Sequence, residues 1–188
     1  EKLSVIGVTG TNGKTSCTQW IAKALSNLKQ PCAVMGTLGY GFPEHLTPSA
    51  YTTPFPIEIQ KILADCYAQQ ASYVAMEVSS HALAQHRVKG VQFKLAIFTN
   101  LSHDHLDYHH DLSTYALTKK TLFDWPLEYR VFNLDDTYGR AWFTEYKNQK
   151  GCYGYSIVPE IYKTINKDAV TYASNITFKS LLLERQRT

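Results

Sequence analysis

Short apolar runs alternate along the chain with longer stretches in which apolar residues recur every three or four positions. The first run, Leu3 to Val8, has the unbroken hydrophobicity of a strand covered on both faces. Behind it, Cys17, Trp20, Ile21, Ala24, Leu25 and Leu28 share one face of a helix predicted over Thr15 to Lys29, which the Gln30-Pro31 step ends. Ala33 to Gly36 is the next predicted strand, and the repeated glycines of GTLGYG, Gly36 to Gly41, predict a flexible loop. The segment TTPFP, Thr52 to Pro56, suits a helix entry with a hydroxyl residue near the cap, and Ile59, Ile62, Leu63 and Cys66 mark one face of the helix behind it. Further strands are predicted at Tyr73 to Val78, Leu95 to Asn100 and Arg130 to Asn133, and further helices over Ser113 to Phe123 and Asp136 to Tyr146. Strand and helix in alternation predict the α/β class, a mostly parallel sheet with helices on both faces. From about Gly151 the pieces shorten to VTYA and ITF, which predict a short antiparallel β region toward the C-terminus.

Composition narrows this little. At 188 residues and 44% hydrophobic content the chain can form one well-cored domain, taken as residues 1–188. A net charge of +3, scattered along the sequence, gives no footprint for nucleic acid. Cys17, Cys32, Cys66 and Cys152 form no CxxC pair and read as reduced core residues, two of them on the apolar faces of predicted helices. No apolar run reaches the length of a membrane span and no signal peptide opens the chain, so a cytoplasmic, monomeric protein is expected. The chain opens within ten residues of its glycine loop and stops in ITFKSLLLERQRT, which reads as the start of a hairpin; both ends suggest a domain cut from a longer protein.

The chemistry begins at VIGVTGTNGKTS, Val5 to Ser16, which reads as strand, glycine-rich turn and helix start. Gly10 and Gly13 let the loop curl so that several N–H groups point at an anion, and the following helix adds its positive end. Lys14 supplies a point charge for outer phosphates, and the Thr15 hydroxyl is placed to ligate magnesium. The usual pattern has a glycine where Val8 stands, with glycines here at Gly7 and Gly10 instead; the strand before and the helix after identify a phosphate-binding P-loop, and the fold class becomes P-loop NTPase-like. A glycine-rich turn with an incidental lysine is the plainer alternative.

In parallel sheets of this kind ligands gather at the carboxyl ends of the strands. Gly10 to Thr15, Glu77, His103 to Asp107 and Asn133 all fall there. Glu77 ends an apolar strand, where a charge needs a partner: magnesium beside a P-loop, or an ion pair at the strand tip. The run SHDHLDYHH, Ser102 to His110, is dense in imidazoles and acids and suits either zinc or magnesium by residue type; a neighbouring phosphate site favours the harder ion. His110 reads as a surface residue. Arg87 suits a carboxylate or phosphate by its paired donors, or else is a solvated helix-end arginine.

Taken in order, GTNGKT, TTP, MEVSSHAL with QHRV, TNLSHDHLDYH and FNLDD resemble the ATP-binding central domain of the Mur ligases, in the MurE type, over nearly the whole chain to about Gly139. That family adds the third amino acid to UDP-N-acetylmuramoyl-L-alanyl-D-glutamate, with ATP as cosubstrate and magnesium at two sites. The resemblance implies that Gly10, Thr11, Asn12, Gly13, Lys14 and Thr15 hold ATP, with Asn133 near the adenine. It implies Thr15 and Glu77 as ligands of a first magnesium. A second would take Glu77, His105 and a lysine carbamylated by carbon dioxide, for which Lys119 aligns best, with the adjacent Lys120 as the alternative. Thr52, Thr53, Ser79, Gln85 and Arg87 would hold the UDP-muramoyl-dipeptide. Lys14, Lys119, Glu77 and His105 form the catalytic set so implied. A complete Mur ligase has two further domains, one for the uridine end and one for the amino acid, so this segment alone is expected to be inactive in ligation. MurF, folylpolyglutamate synthetases and a non-catalytic nucleotide-binding module are the competing readings; TTP with QHRV favours MurE.

Overall fold

The first apolar run forms β1 (Ser4–Thr9), the centre of a mixed sheet. In the computed structural model, which describes residues 3–158 and 161, the other strands are β2 (Cys32–Gly36), β3 (Gly39–Phe42), β4 (His45–Thr47), β5 (Tyr73–Glu77), β6 (Phe93–Phe98), β7 (Tyr129–Asn133) and β8 (Cys152–Tyr155). Their order across the sheet is β4-β3-β2-β5-β1-β6-β7-β8. From β2 to β8 all neighbours run parallel, while β3 and β4 fold back antiparallel on β2.

Two apolar clusters show which helix covers which face. In β2, Cys32 and Val34 join one cluster while Ala33 and Met35 join the other, as the two-residue period of a strand requires. Cys32, Val34 and Ala75 of β5 lie under α1 (Lys14–Asn27), which contributes Ala22. The larger cluster holds buried apolar side chains of α2 (Pro56–Ala68), α3 (Ser80–Ala84) and α6 (Thr137–Tyr146), and Ala116 of α5 (Leu112–Lys120). A short α4 (Leu106–His109) precedes α5, and a 3₁₀ turn, Thr121–Asp124, follows it.

Several local expectations change. Trp20 and Leu28 are exposed, because α1 turns Thr18 and Ala22 inward, with Ile21 and Leu25 at the flank of the contact. GTLGYG is not a loop throughout: it contains β3, whose alternating Gly39, Tyr40, Gly41 and Phe42 put aromatic rings on the core and glycines against β4. Gly39 has a φ of 121°, and a Cβ there would overlap the Thr47 carbonyl, so the strand pair needs glycine. The antiparallel part of the sheet therefore lies at residues 39–47. The last described strand, β8, pairs parallel with β7, whereas VTYA and ITF lie outside the described residues. The N-cap of α2 is Phe55, with no hydroxyl cap; Pro56 at its first position needs no N–H partner, and Thr52 and Thr53 are used elsewhere. α3 and α4 are too short for periodicity to show.

All four cysteines are free thiols, with Cys32, Cys66 and Cys152 buried, and burial pushes each of the four up to about 11. Among the described residues no helix is long and apolar enough to cross a membrane.

Candidate active site

The carboxyl ends of β1, β2, β5 and β6 meet at one edge, and each delivers polar residues there. After β1 the chain turns through Gly10 (φ 148°) and Gly13 (φ 81°) into α1. A Cβ at Gly10 would overlap the Thr99 hydroxyl, so this position admits only glycine without rearrangement. The loop is clamped from β6: Thr99 Oγ1 donates to the Asn12 carbonyl at 2.7 Å, and the Asn100 side chain exchanges hydrogen bonds with both Asn12 backbone groups. Thr11 is buried, with its hydroxyl 3.2 Å from Tyr115 Oη and 3.0 Å from the Ser102 N–H it accepts. The loop is therefore held in shape by its neighbours as well as by its own Thr11 and Lys14 side chains.

Side chains cap α3, α5 and α6 through Ser79, Asp111 and Asp136. The N-terminus of α1 has neither a side-chain cap nor an acid in its first turn, and its positive end faces the glycine loop. That combination suits an anion.

Glu77 ends β5 at 1% exposure. It accepts hydrogen bonds from Thr15 Oγ1 (3.0 Å), the Thr37 N–H (2.9 Å) and Thr37 Oγ1 (3.2 Å). Gly36 lies beside it, and a Cβ there would overlap Glu77 Oε1. These partners are neutral donors, and no ion pair reaches Glu77 among the described residues; a buried carboxylate without a cation at contact distance fits a hard metal ion.

Two lysines converge on the same loop. Lys14 Nζ donates to the Gly10 and Thr11 carbonyls at 2.9 and 2.7 Å, and Lys119 Nζ donates to the Gly10 carbonyl at 2.9 Å. Lys119 is 1% exposed, with its ammonium 4.4 Å from the Tyr115 ring centre. Burial, helped by the nearby Lys14 charge, pulls its pKa down to about 7, against the opposing pull of Asp104. Lys120 points away and pairs with Glu145 at 2.8 Å. The adjacent lysines have different contacts, and of the two only Lys119 reaches the loop.

The five residues expected to hold the second substrate connect to Glu77 through a hydrogen-bond network that begins at Thr53 and Thr37. Thr53 Oγ1 donates to the Glu77 carbonyl and accepts from the Ser79 N–H. Arg87 donates to the Thr53 carbonyl and to Gln85 Oε1, with its guanidinium 4.3 Å from the Phe55 ring centre. Gln85 donates onward to Tyr108 Oη. Thr52 Oγ1 lies 3.0 Å from Thr37 Oγ1.

Two expected residues stand apart. His105 takes a left-handed backbone (φ 52°), pairs with Asp104 at 3.4 Å, and packs its ring 4.9 Å from His81. Among the described residues, no three His, Cys, Asp or Glu side chains converge to hold a metal. The set expected for a second magnesium contains only two of these, Glu77 and His105, plus Lys119. Asn133 donates to the Thr99 carbonyl at 2.7 Å and accepts from the Asp135 N–H, so its amide ties β7 to β6. His110 is exposed and His109 is buried, with Nε2 2.9 Å from Ser80 Oγ.

Thr37, Thr99, Asn100 and Tyr115 also line the site, though no motif in the sequence marks them individually. Thr37, Thr99 and Asn100 follow strand ends directly, the one sequence signal that marks them. Tyr115 carries no such signal.

Comparison with known proteins gives this geometry a context. The UDP-N-acetylmuramoyl-L-alanyl-D-glutamate--2,6-diaminopimelate ligase of Coxiella burnetii is 51% identical over 156 residues, which are 82% of this chain and 32% of that protein. Its counterpart in Vibrio vulnificus is 49% identical over 182 residues, 95% of this chain and 36% of the relative. A solved structure of a ligase of that name matches with a TM-score of 0.77 and 40% identity, over 84% of this chain and 33% of the other. The chain thus spans about a third of the length of these relatives. A family profile described as the Mur ligase middle domain matches residues 8–184, and the chain belongs to that family.

Proposed function

We propose that this domain is the ATP-binding part of a ligase that adds meso-diaminopimelate to UDP-N-acetylmuramoyl-L-alanyl-D-glutamate, in the cytoplasm, as a step of peptidoglycan precursor synthesis. The single observation that carries the reading is the Thr15–Glu77 contact, at 3.0 Å, beside an uncapped helix start. The diaminopimelate ligases of Coxiella and Vibrio, similar over most of this chain, support the choice of substrate.

In this reading Gly10 to Thr15 cradle the phosphates of ATP, and Lys14 leaves its loop carbonyls to meet the outer ones. Thr15 and Glu77 would hold one magnesium ion; Glu77, His105 and Lys119, the last as a carbamate, would hold another once His105 is brought to the site. Magnesium supplies charge neutralisation on the phosphates and on the attacking carboxylate. Lys119 suits the conversion because burial keeps a neutral amine available near neutral pH, and only a neutral amine adds to carbon dioxide. Asn133 lies on the adenine side.

Thr52, Thr53, Ser79, Gln85 and Arg87 hold the UDP-muramoyl-dipeptide, and Arg87 is held ready by Phe55 and Gln85. The dipeptide carboxylate attacks the γ-phosphorus, ADP leaves, and an acyl phosphate forms. The incoming amine then attacks the acyl carbon and phosphate leaves. This chain contributes position and fixed charge rather than covalent chemistry. The other domains of the full-length protein supply the uridine and amino-acid sites.

The test is phosphate release by the full-length protein with ATP, magnesium and UDP-muramoyl-dipeptide. Release that requires diaminopimelate and is not supported by lysine is expected. Release supported by lysine alone, or absent with both amino acids, contradicts the reading.

A further inference from the structure

Glu77 is oriented by more than the phosphate loop. Thr37, at the first position beyond β2, donates to it twice: its N–H to Oε1 at 2.9 Å and its hydroxyl to Oε2 at 3.2 Å. A hydroxyl has one proton. Since that of Thr37 goes to Glu77, the contact with Thr52 at 3.0 Å must run from the Thr52 hydroxyl to the Thr37 oxygen. The result is a directed chain, Thr52 to Thr37 to Glu77, met from the other side by Thr15. A donor that itself accepts a hydrogen bond is polarised and donates more strongly.

From this geometry we infer that Thr37 is a positioning residue: it holds the Glu77 carboxylate toward the cation beside Thr15, and it links that carboxylate to Thr52. The inference rests on the proposed magnesium-nucleotide site. It assigns Thr37 no contact with either substrate. The backbone N–H fixes Oε1 whatever the side chain, so the hydroxyl controls Oε2, the oxygen that Thr15 also touches. Loss of the hydroxyl leaves Oε2 with one donor and frees the carboxylate to turn. The magnesium requirement should then rise, while nucleotide contact with the loop itself stays as it was.

The experiment measures ADP binding to the full-length protein by calorimetry across a magnesium titration and, separately, in EDTA. Thr37→Val is expected to raise the magnesium concentration at half-maximal enhancement by about tenfold, the effect of losing one hydrogen bond to a charged group. Its affinity in EDTA should match the wild type. Thr37→Ser, which restores the hydroxyl, should lie within about threefold of wild type, and Thr52→Val, which reaches Glu77 only through Thr37, should shift the midpoint about two- to threefold. A Thr37→Val midpoint equal to wild type overturns the inference, as does a Thr37→Ser midpoint as poor as that of Thr37→Val. A wild type with no magnesium enhancement overturns the nucleotide site itself, which is a separate and recognisable outcome.

Discussion

The phosphate loop and the His103 to Asp107 segment lie at the same end of the sheet but are built differently. The loop is held by Thr99, Asn100, Ser102, Tyr115 and two lysines, and Glu77 behind it is buried with three donors. His105 is exposed and rests on Asp104 and on ring contacts with His81 and Tyr115. One side is a cradle set by the strand ends and by α5 of this domain. The other presents an exposed imidazole on a short segment that, among the described residues, makes no side-chain hydrogen bond to the loop. Lys119 stands between them, bonded to the loop and packed on Tyr115.

If the cradle is where charge is stabilised, its loss costs most. Lys14→Ala in the full-length enzyme should lower turnover by about a hundredfold or more; near-normal turnover breaks the comparison. Next is Lys119→Ala, expected to lose on the order of tenfold to a hundredfold and to regain part of it with added acetate or formate. Lys120→Ala, which loses the pair with Glu145 and a contact with the Tyr146 ring, both away from the loop, should stay within about twofold in activity. Equal losses for the two lysines would contradict the separation of their roles. His105→Ala should reduce activity about tenfold while changing stability by under about 0.5 kcal/mol, since the side chain is exposed. A large drop in urea midpoint for that variant would show that the segment is structural after all.

The smallest expected effect is a slope. Lys119 is buried with its pKa lowered to about 7 from the ordinary 10.5, so between those values the unfolded chain holds a proton that the folded one does not. More protons on the unfolded state means that stability rises with pH through this window. Lys119→Met lacks the term. In carbon-dioxide-free buffer its stability relative to wild type should therefore fall steadily from about pH 7 to about pH 9; a constant difference contradicts a neutral buried amine.

Much of this was legible in the sequence because it depended on local order. β1, the loop and α1 follow from a strand, two glycines and a helix read in succession, and Glu77 stood out as a charge at the end of an apolar run. The distinction between Lys119 and Lys120 needed the third dimension: only a helix packed with Tyr115, Ala116 and Lys119 inward sends one lysine to Gly10 and its neighbour to Glu145. Thr37 was hidden in GTLGYG for a related reason. Its glycines read as flexibility, yet Gly36 is needed to admit Glu77 and Gly39 to admit β4, contacts made across the sheet. In α1 the period is less informative, since Trp20 and Leu28 match it yet are exposed, while Ile21, Ala22 and Leu25 pack on the sheet.

The most direct test of the account follows one oxygen atom. UDP-muramoyl-dipeptide labelled with ¹⁸O in its acceptor carboxylate is turned over by the full-length enzyme with ATP and diaminopimelate, and the released phosphate is analysed by mass spectrometry. Activation of the carboxylate by phosphoryl transfer at this loop predicts one ¹⁸O in each phosphate released. Phosphate free of the label would contradict it.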